Sequence, residues 1–410
     1  MSVDFISLPR PMPLPPRPHL TRWFWLLPLF VTVGFGLTWW LWPRSAQPDM
    51  AEFWKISLLA PALLWGVVLC VRLWLDASAQ ERTERHNDHV AALSAGMRDR
   101  AAQSLQVLAS GFLLGAQSGD DYADLAAGKQ IGSSHYDPVQ RQVLRYTPLE
   151  LEMQVASDGT LDERFRETCL LLLSGIRRTV VKAAGTMRMQ VILHTDTPAE
   201  TLHKSATQHW REASAFARLP DFPIVLKTAV DWMLIDQWLN RPRHEDDADA
   251  ILIVSISLTA APVPDRAEAA SALLLTRTIR ETVPLASMAR IHRPVASANP
   301  EAHANGAPLT AVRWSGVAAK SIGGIWTAHL DTAADAAVSA DAHTHLPQVS
   351  DRPETLRDLD LMAGNAGTAT PWLLATIAVS EAEKTNHAQL LVTLSKGAVI
   401  GMVVAPDTQA

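Results

Sequence analysis

Two long apolar runs near the start of the chain restrict its possible folds more than any other feature. Residues 23–42 carry no charge over 20 positions, the length at which a helix crosses the hydrocarbon core of a bilayer. Residues 56–75 form a second run, with Lys55 just outside it. Arg72 falls in its last turn, where the long stem can lift the guanidinium to the headgroups. Trp23 and Trp25 stand at one end of the first run and Trp39, Trp40 and Trp42 at the other, the two-ended aromatic belt of a spanning helix. Eight of the 14 tryptophans fall between Trp23 and Trp74, so the enrichment follows the expected interface and not the chain at large. The sequence therefore predicts a proline-rich tail over 1–22, a transmembrane hairpin over 23–75 with a lipid bilayer as partner, and a soluble part of roughly 330 residues.

Orientation follows from the basic residues. Arg10, Arg17 and Arg22 precede the hairpin and Arg72, Arg82 and Arg85 follow it, while the connecting loop holds only Arg44 and Lys55. Both termini and the soluble part are expected on the cytoplasmic side. A cleaved secretory signal fits poorly, because the core is too long and Arg44-Ser45-Ala46 is a poor cleavage site. A buried core hairpin would not need the tryptophan belts. The run Pro-Arg-Pro-Met-Pro-Leu-Pro-Pro-Arg-Pro over 9–18 reads as an extended, solvated spacer.

Net charge is −6, which argues against a nucleic-acid partner. Cys70 lies in the second apolar run and Cys169 in an apolar helix, so neither a disulfide nor a zinc spacing is indicated, as suits a reducing compartment. Residues 81–117 have helical apolar spacing (Val90, Leu93, Met97, Ala101, Leu105, Leu108), and 119–137 read as loop. Beyond them, strands over 145–155, 187–194, 223–230 and 250–258 alternate with helices over 162–182, 198–217 and 232–239. Residues 287–308 read as loop, 371–383 as helix, and 389–393 and 399–404 as a hairpin turned at Ser395-Lys396-Gly397. This alternation predicts an α/β sandwich with a mixed sheet, its first half over 81–240 and its second over 250–410, linked by the acidic run 244–249.

The last segment resembles the end of the thiolase-like superfamily, which includes the β-ketoacyl synthases. The likeness is carried by Gly364-Asn365-Ala366-Gly367-Thr368-Ala369, the helix after it and the closing hairpin, together with the Ala-rich stretch 267–275. The resemblance implies a thiolase-like fold, in which the enzymes use a cysteine at a helix N-terminus. Cys169 sits mid-helix in Thr-Cys-Leu-Leu-Leu-Leu and reads as a core thiol, so the nucleophile is missing. Asn365 stands where the ketoacyl-synthase III branch keeps an active-site asparagine. The loop Glu301-Ala302-His303-Ala304-Asn305-Gly306 echoes the ketoacyl-synthase histidine loop but lacks its glycine after the histidine. Two membrane helices, a thiolase-like domain without its cysteine and the segment Tyr146-Thr147-Pro148-Leu149-Glu150-Leu151-Glu152 together resemble the type VI secretion lipase-adaptor family. That likeness implies a bacterial inner-membrane location and a lipase effector as client.

Other chemistries find no support. No Gly-x-Ser-x-Gly elbow, phosphate loop, dinucleotide fingerprint or His-Glu-x-x-His helix is present, and no cofactor, metal or catalytic residue is expected. His343 and His345 read as exposed loop residues, Ser133-Ser134-His135 as neighbours without catalytic geometry, and Asp351, Glu354, Asp358 and Asp360 as a solvated helix face. Trp314, Trp326 and Trp372 are candidates for an exposed protein-binding patch, against the alternative that they fill the core. The functional expectation is a non-enzymatic, membrane-anchored adaptor. The alternatives are a thiolase-like enzyme acting on acyl thioesters or membrane lipid, and a permanent subunit of a membrane complex.

Overall fold

The structure, a computed structural model, describes residues 9–16, 19–41, 50–115, 124–137, 141–151, 160–195, 200–228, 230–242, 244, 247–277, 285–297 and 306–407. Trp42, the end of the expected strand 145–155 and the His303 loop lie outside them. The chain forms two compact units, Val3–Arg98 and Asp99–Ala410.

In the first unit, α1 (Leu20–Leu41) packs against a helix that begins at Met50–Trp54, passes through a π-helical stretch at Lys55–Leu59 and continues as α2 (Ala60–Ala101). At 42 residues α2 is about 63 Å long. Gly34 permits the close approach of the two helices: a Cβ there would lie 2.1 Å from Pro61 Cγ. The indole of Trp65 donates to the Trp23 carbonyl at 3.1 Å, a second tie between the helices. No α1 residue is buried, and Trp25, Trp39 and Trp40 are exposed. Both helices are long and apolar enough to cross a membrane. Residues 9–16 form no helix or strand.

In the second unit the expected helix over 81–117 is cut short. It ends at Ala101, and residues 104–114 form the strand β1 (Ser104–Leu114). Pairing on both sides of β1 outweighs the helical spacing of Leu105 and Leu108. The strands and longer helices that follow are β2 (Ser133–Asp137), β3 (Gln142–Thr147), α3 (Leu161–Ala184), β4 (Met189–Thr195), α4 (Glu200–Phe216), β5 (Ile224–Lys227), α5 (Met233–Asn240), β6 (Ala250–Ser257), β7 (Arg266–Ala267), β8 (Ala269–Thr276), β9 (Ala289–His292), β10 (Val295–Ala296), α6 (Ala307–Ser315), β11 (Ile322–Ala328), α7 (Thr332–His345), β12 (Leu356–Asp358), α8 (Thr370–Thr385), β13 (Ala388–Ser395) and β14 (Ala398–Pro406). Thr160 starts α3 with a reciprocal capping box to Glu163. Three expected loops are corrected: 133–137 is β2, 289–296 holds β9 and β10, and His343 and His345 end α7. The Asp351–Asp360 stretch is not one solvated helix face: it holds a 3-10 turn at Pro353–Thr355, the strand β12 and the start of a short helix at Leu359–Met362, and its Arg357 is buried with the guanidinium 4.7 Å from the Trp326 ring.

The main sheet runs β12-β11-β13-β14-β9-β1-β8-β6-β4-β5, with β10 on β14; β2, β3 and β7 form a small second sheet. The same path is traced twice. β5, β4 and β6 are parallel, then β8 and β1 alternate in direction; β12, β11 and β13 are parallel, then β14 and β9 alternate. The repeats therefore divide between β8 and β9, later than the acidic run at 244–249, because β6 and β8 complete the first half.

Alternation along each strand assigns the faces. Ile192, Ile251 and Ile253 face a core shared with α5 and α8, whereas Val191, Leu193, Leu252 and Val254 face α3 and α4. Ile325, Leu390, Val392 and Val403 pack on α6 and α7. α5 and α8 thus lie between the two halves. Trp232 and Trp372, at the starts of those helices, exchange hydrogen bonds: Trp232 donates to the Pro371 carbonyl at 2.8 Å and Trp372 to the Val230 carbonyl at 3.0 Å. The suggested tryptophan patch is corrected accordingly. Trp326 is 0% and Trp372 1% exposed, and Trp314 is partly buried against the α6–α7 core. Their large apolar rings belong to the interior.

Candidate functional site

The exchange of indole hydrogen bonds sets the starts of α5 and α8 side by side, and a cleft of about 660 Å³ opens there. Its polar lining comes from both repeats: Asp231 before α5, Arg266 on β7, His329 after β11, Asp360, Asn365 and Thr368 before α8, and Ser395 with Lys396 at the β13–β14 turn. Segment ends converge because parallel strands end together, which is where open α/β sheets leave a crevice.

Asp231 occupies the helix N-terminus. Its Oδ1 accepts the Met233 amide at 3.0 Å, and its Oδ2 accepts the Ser395 hydroxyl at 3.0 Å with Lys396 Nζ 3.9 Å away. A carboxylate suits that place, since the unpaired N–H groups and the helix dipole favour negative charge. The turn carrying Ser395 is tight: Lys396 and Gly397 both have left-handed φ, 51° and 78°. Behind Asp231, His194 is fully buried. Its Nε2 accepts the Val230 amide at 3.3 Å, so its Nδ1–H donates to Ser255 Oγ at 2.8 Å. Burial pushes the imidazole down to about 4, and it stays neutral as a support for the loop.

On the other repeat, His329 adopts φ 59° and its amide donates to Asp360 Oδ2 at 2.5 Å. Its Nε2 lies 3.0 Å from Asn365 Oδ1 and 4.0 Å from Asp360 Oδ1. Asn365 Oδ1 also accepts the Gly367 amide at 2.6 Å, which fixes the orientation of the side-chain amide. Facing two acceptors, His329 carries its proton on Nε2 and acts there as a donor. Thr368 Oγ1 is buried on the same rim with no hydrogen-bond partner among the described residues.

The arrangement can hold a polar group, and neither cysteine is among the residues that line it. Cys169 is fully buried mid-helix in α3, and burial pushes its thiol up; Cys70 lies in α2. Asn365 was legible from its loop. Asp360 reads only as part of a solvated face, and Asp231 and His329 sit in no local motif; the signal of all three is position, each standing where a strand gives way to a helix or turn.

No protein-family model matches the chain, and no curated protein does. Solved structures do. The ishigamide ketosynthase/chain length factor superposes with a TM-score of 0.50 at 15% identity, covering 74% of this chain and 99% of its own. A β-ketoacyl synthase from Burkholderia phymatum gives 0.49 at 14% identity, with 74% and 99% covered. A 3-oxoacyl-(acyl carrier protein) synthase III from Xanthomonas oryzae pv. oryzae gives 0.44 at 13%, again with 74% and 99% covered. The fold is a thiolase-like mixed α/β fold.

Proposed function

We propose that this chain is a non-enzymatic thiolase-like scaffold, anchored in a bilayer by α1 and the apolar part of α2, that binds a protein client. The observation that carries the reading is Asp231. The helix N-terminus on the cleft, where a thiolate would be stabilised, holds a carboxylate already tied to the Met233 amide and the Ser395 hydroxyl. Both thiols lie elsewhere. The exposed apolar side chains of α1 and α2 support the anchor, and the excess of arginine flanking the hairpin supports a cytoplasmic domain on a bacterial inner membrane. The resemblance to type VI secretion lipase adaptors points to a lipase effector as client. Anchoring would raise the client's local concentration at an assembly site.

The test is to purify the full chain from its native membranes and identify what comes with it. A lipase-class protein in stoichiometric amount supports the adaptor. Partners confined to subunits of a membrane complex favour a structural subunit. A chain that emerges alone and becomes acylated in its cleft on incubation with acyl-coenzyme A refutes the reading. That outcome would favour the second one, an acyl-handling enzyme, for which the His329–Asn365 pair is the supporting observation.

A further inference from the structure

Residues 9–15 alternate proline with Arg10, Met12 and Leu14, so only those three positions keep a backbone N–H. The structure shows where one of them goes. Met12 N donates to Asn87 Oδ1 at 2.8 Å, and Asn87 Nδ2 donates to Met12 O at 2.9 Å. His86 Nε2 donates to Arg10 O at 3.2 Å. In an extended chain the N–H and C=O of one residue point to the same side, and a carboxamide offers one acceptor and one donor at matching spacing. Asn87 therefore reads Met12 as a neighbouring β-strand would. Val90, four residues beyond His86 on the same helix face, is the single buried side chain of residues 71–100.

We infer that the α2 face formed by His86, Asn87 and Val90 is a binding site for an extended, proline-alternating strand, and that residues 9–16 of the same chain occupy it. Proline alternation suits the site because the strand is already extended before it binds and loses little conformational entropy. It also leaves few competing donors, so register is set by the one amide that Asn87 takes. The consequence is a latch. Met12 precedes α1 and Asn87 lies beyond the apolar part of α2, so the contact closes the two helices into a ring through their polar ends. While latched, the proline-rich segment is not free to serve as a ligand for another protein. This inference depends on the first unit alone and stands whether or not the domain binds a client.

Amide hydrogen exchange on the full chain in detergent micelles tests it, read by mass spectrometry against the free peptide of residues 9–16. The Met12 amide is expected to exchange on the order of ten-fold more slowly in the chain, as one surface hydrogen bond allows. Asn87→Ala should return it to the peptide rate. Asn87→Asp, which keeps the acceptor and loses the donor, should fall between. Exchange of Met12 at the free-peptide rate in the unaltered chain overturns the inference, and protection that disappears on dilution overturns occupation by the same chain. As a second measurement, a variant lacking residues 1–16 should bind the labelled 9–16 peptide, and Asn87→Ala in that variant should abolish binding. A shortened chain that fails to bind the peptide also refutes the site.

Discussion

Replacing Asp231 by alanine tests whether the cleft is held together by its own polar groups. Three contacts are lost. The hydrogen bond from the Met233 amide is equivalent to a helix cap, about 1 kcal/mol. The charge-assisted bond from Ser395 is worth about 1.5 kcal/mol. The Lys396 contact at 3.9 Å adds nothing resolvable, because that lysine is 79% exposed and solvent screens it. The sum is about 2.5 kcal/mol, or roughly 5 °C in Tm for a unit of this size. Ser395→Ala removes the second contact alone, and the double variant closes a cycle whose coupling should be about 1–1.5 kcal/mol. Urea unfolding of the full chain in detergent micelles, followed by tryptophan fluorescence, measures all four species. Many tryptophans report on this unit, including Trp232 beside the altered residue. A coupling below about 0.3 kcal/mol would mean that the two side chains do not meet, and the self-satisfied cleft would be wrong.

Three further outcomes are expected. Burial pushes His194 and His292 down to about 4, so the unfolded chain binds protons that the native chain refuses between pH 6.5 and 4. Stability should therefore fall as pH drops through that window, by up to roughly 3 kcal/mol per histidine, and a flat profile in equilibrium unfolding would contradict their burial. Cys169 should resist iodoacetamide in the native protein and react only after unfolding, as peptide mapping would show; native labelling would reopen the thiol chemistry. Arg293, 1% exposed, donates to Asp236 at 2.5 Å, Asn240 at 2.8 Å, Gln103 at 3.1 Å and the Arg100 carbonyl at 3.1 Å. Arg293→Ala should cost about 3–5 kcal/mol because it leaves Asp236 buried without its partner, and a loss below 1 kcal/mol by the same unfolding assay would sink that view.

What could be read from the sequence depended on how each element announces itself. β6 is buried on both faces and reads as a continuous apolar run, and α8 with the β13–β14 hairpin is bounded by Pro371, Asn386 and the Lys396-Gly397 turn. β1 was misread because Leu105 and Leu108 continue the spacing of α2; only its partners β8 and β9, more than 150 residues away, make it a strand. β9 and β10 are four and two residues long and are parted by Arg293-Pro294, and β9 carries Arg290 and His292, so they are too short and too interrupted to show a period. The site was harder still. Asp231 and Ser395 are 164 positions apart, and His329 and Asn365 are 36 apart. Only the Gly364-Asn365 loop left a local mark.

The repeat explains how the cleft is held in place. The reciprocal Trp232 and Trp372 bonds join the two halves through carbonyls at Val230 and Pro371, immediately beside the cleft. Val230 immediately precedes Asp231 and Pro371 lies in the first turn of α8, so the contact that stabilises the inter-repeat core also fixes Asp231 and the Asn365–Thr368 rim. A carboxylate at Asp231 suits this arrangement, because the unpaired N–H groups and dipole of a helix N-terminus stabilise negative charge. The cleft is a concave surface whose His329, Asp360, Asn365, Asp231 and Ser395 groups are held by one another. Rigidity of that kind is what a docking surface requires, since a partner meeting preset groups loses less freedom on binding than one that must order them.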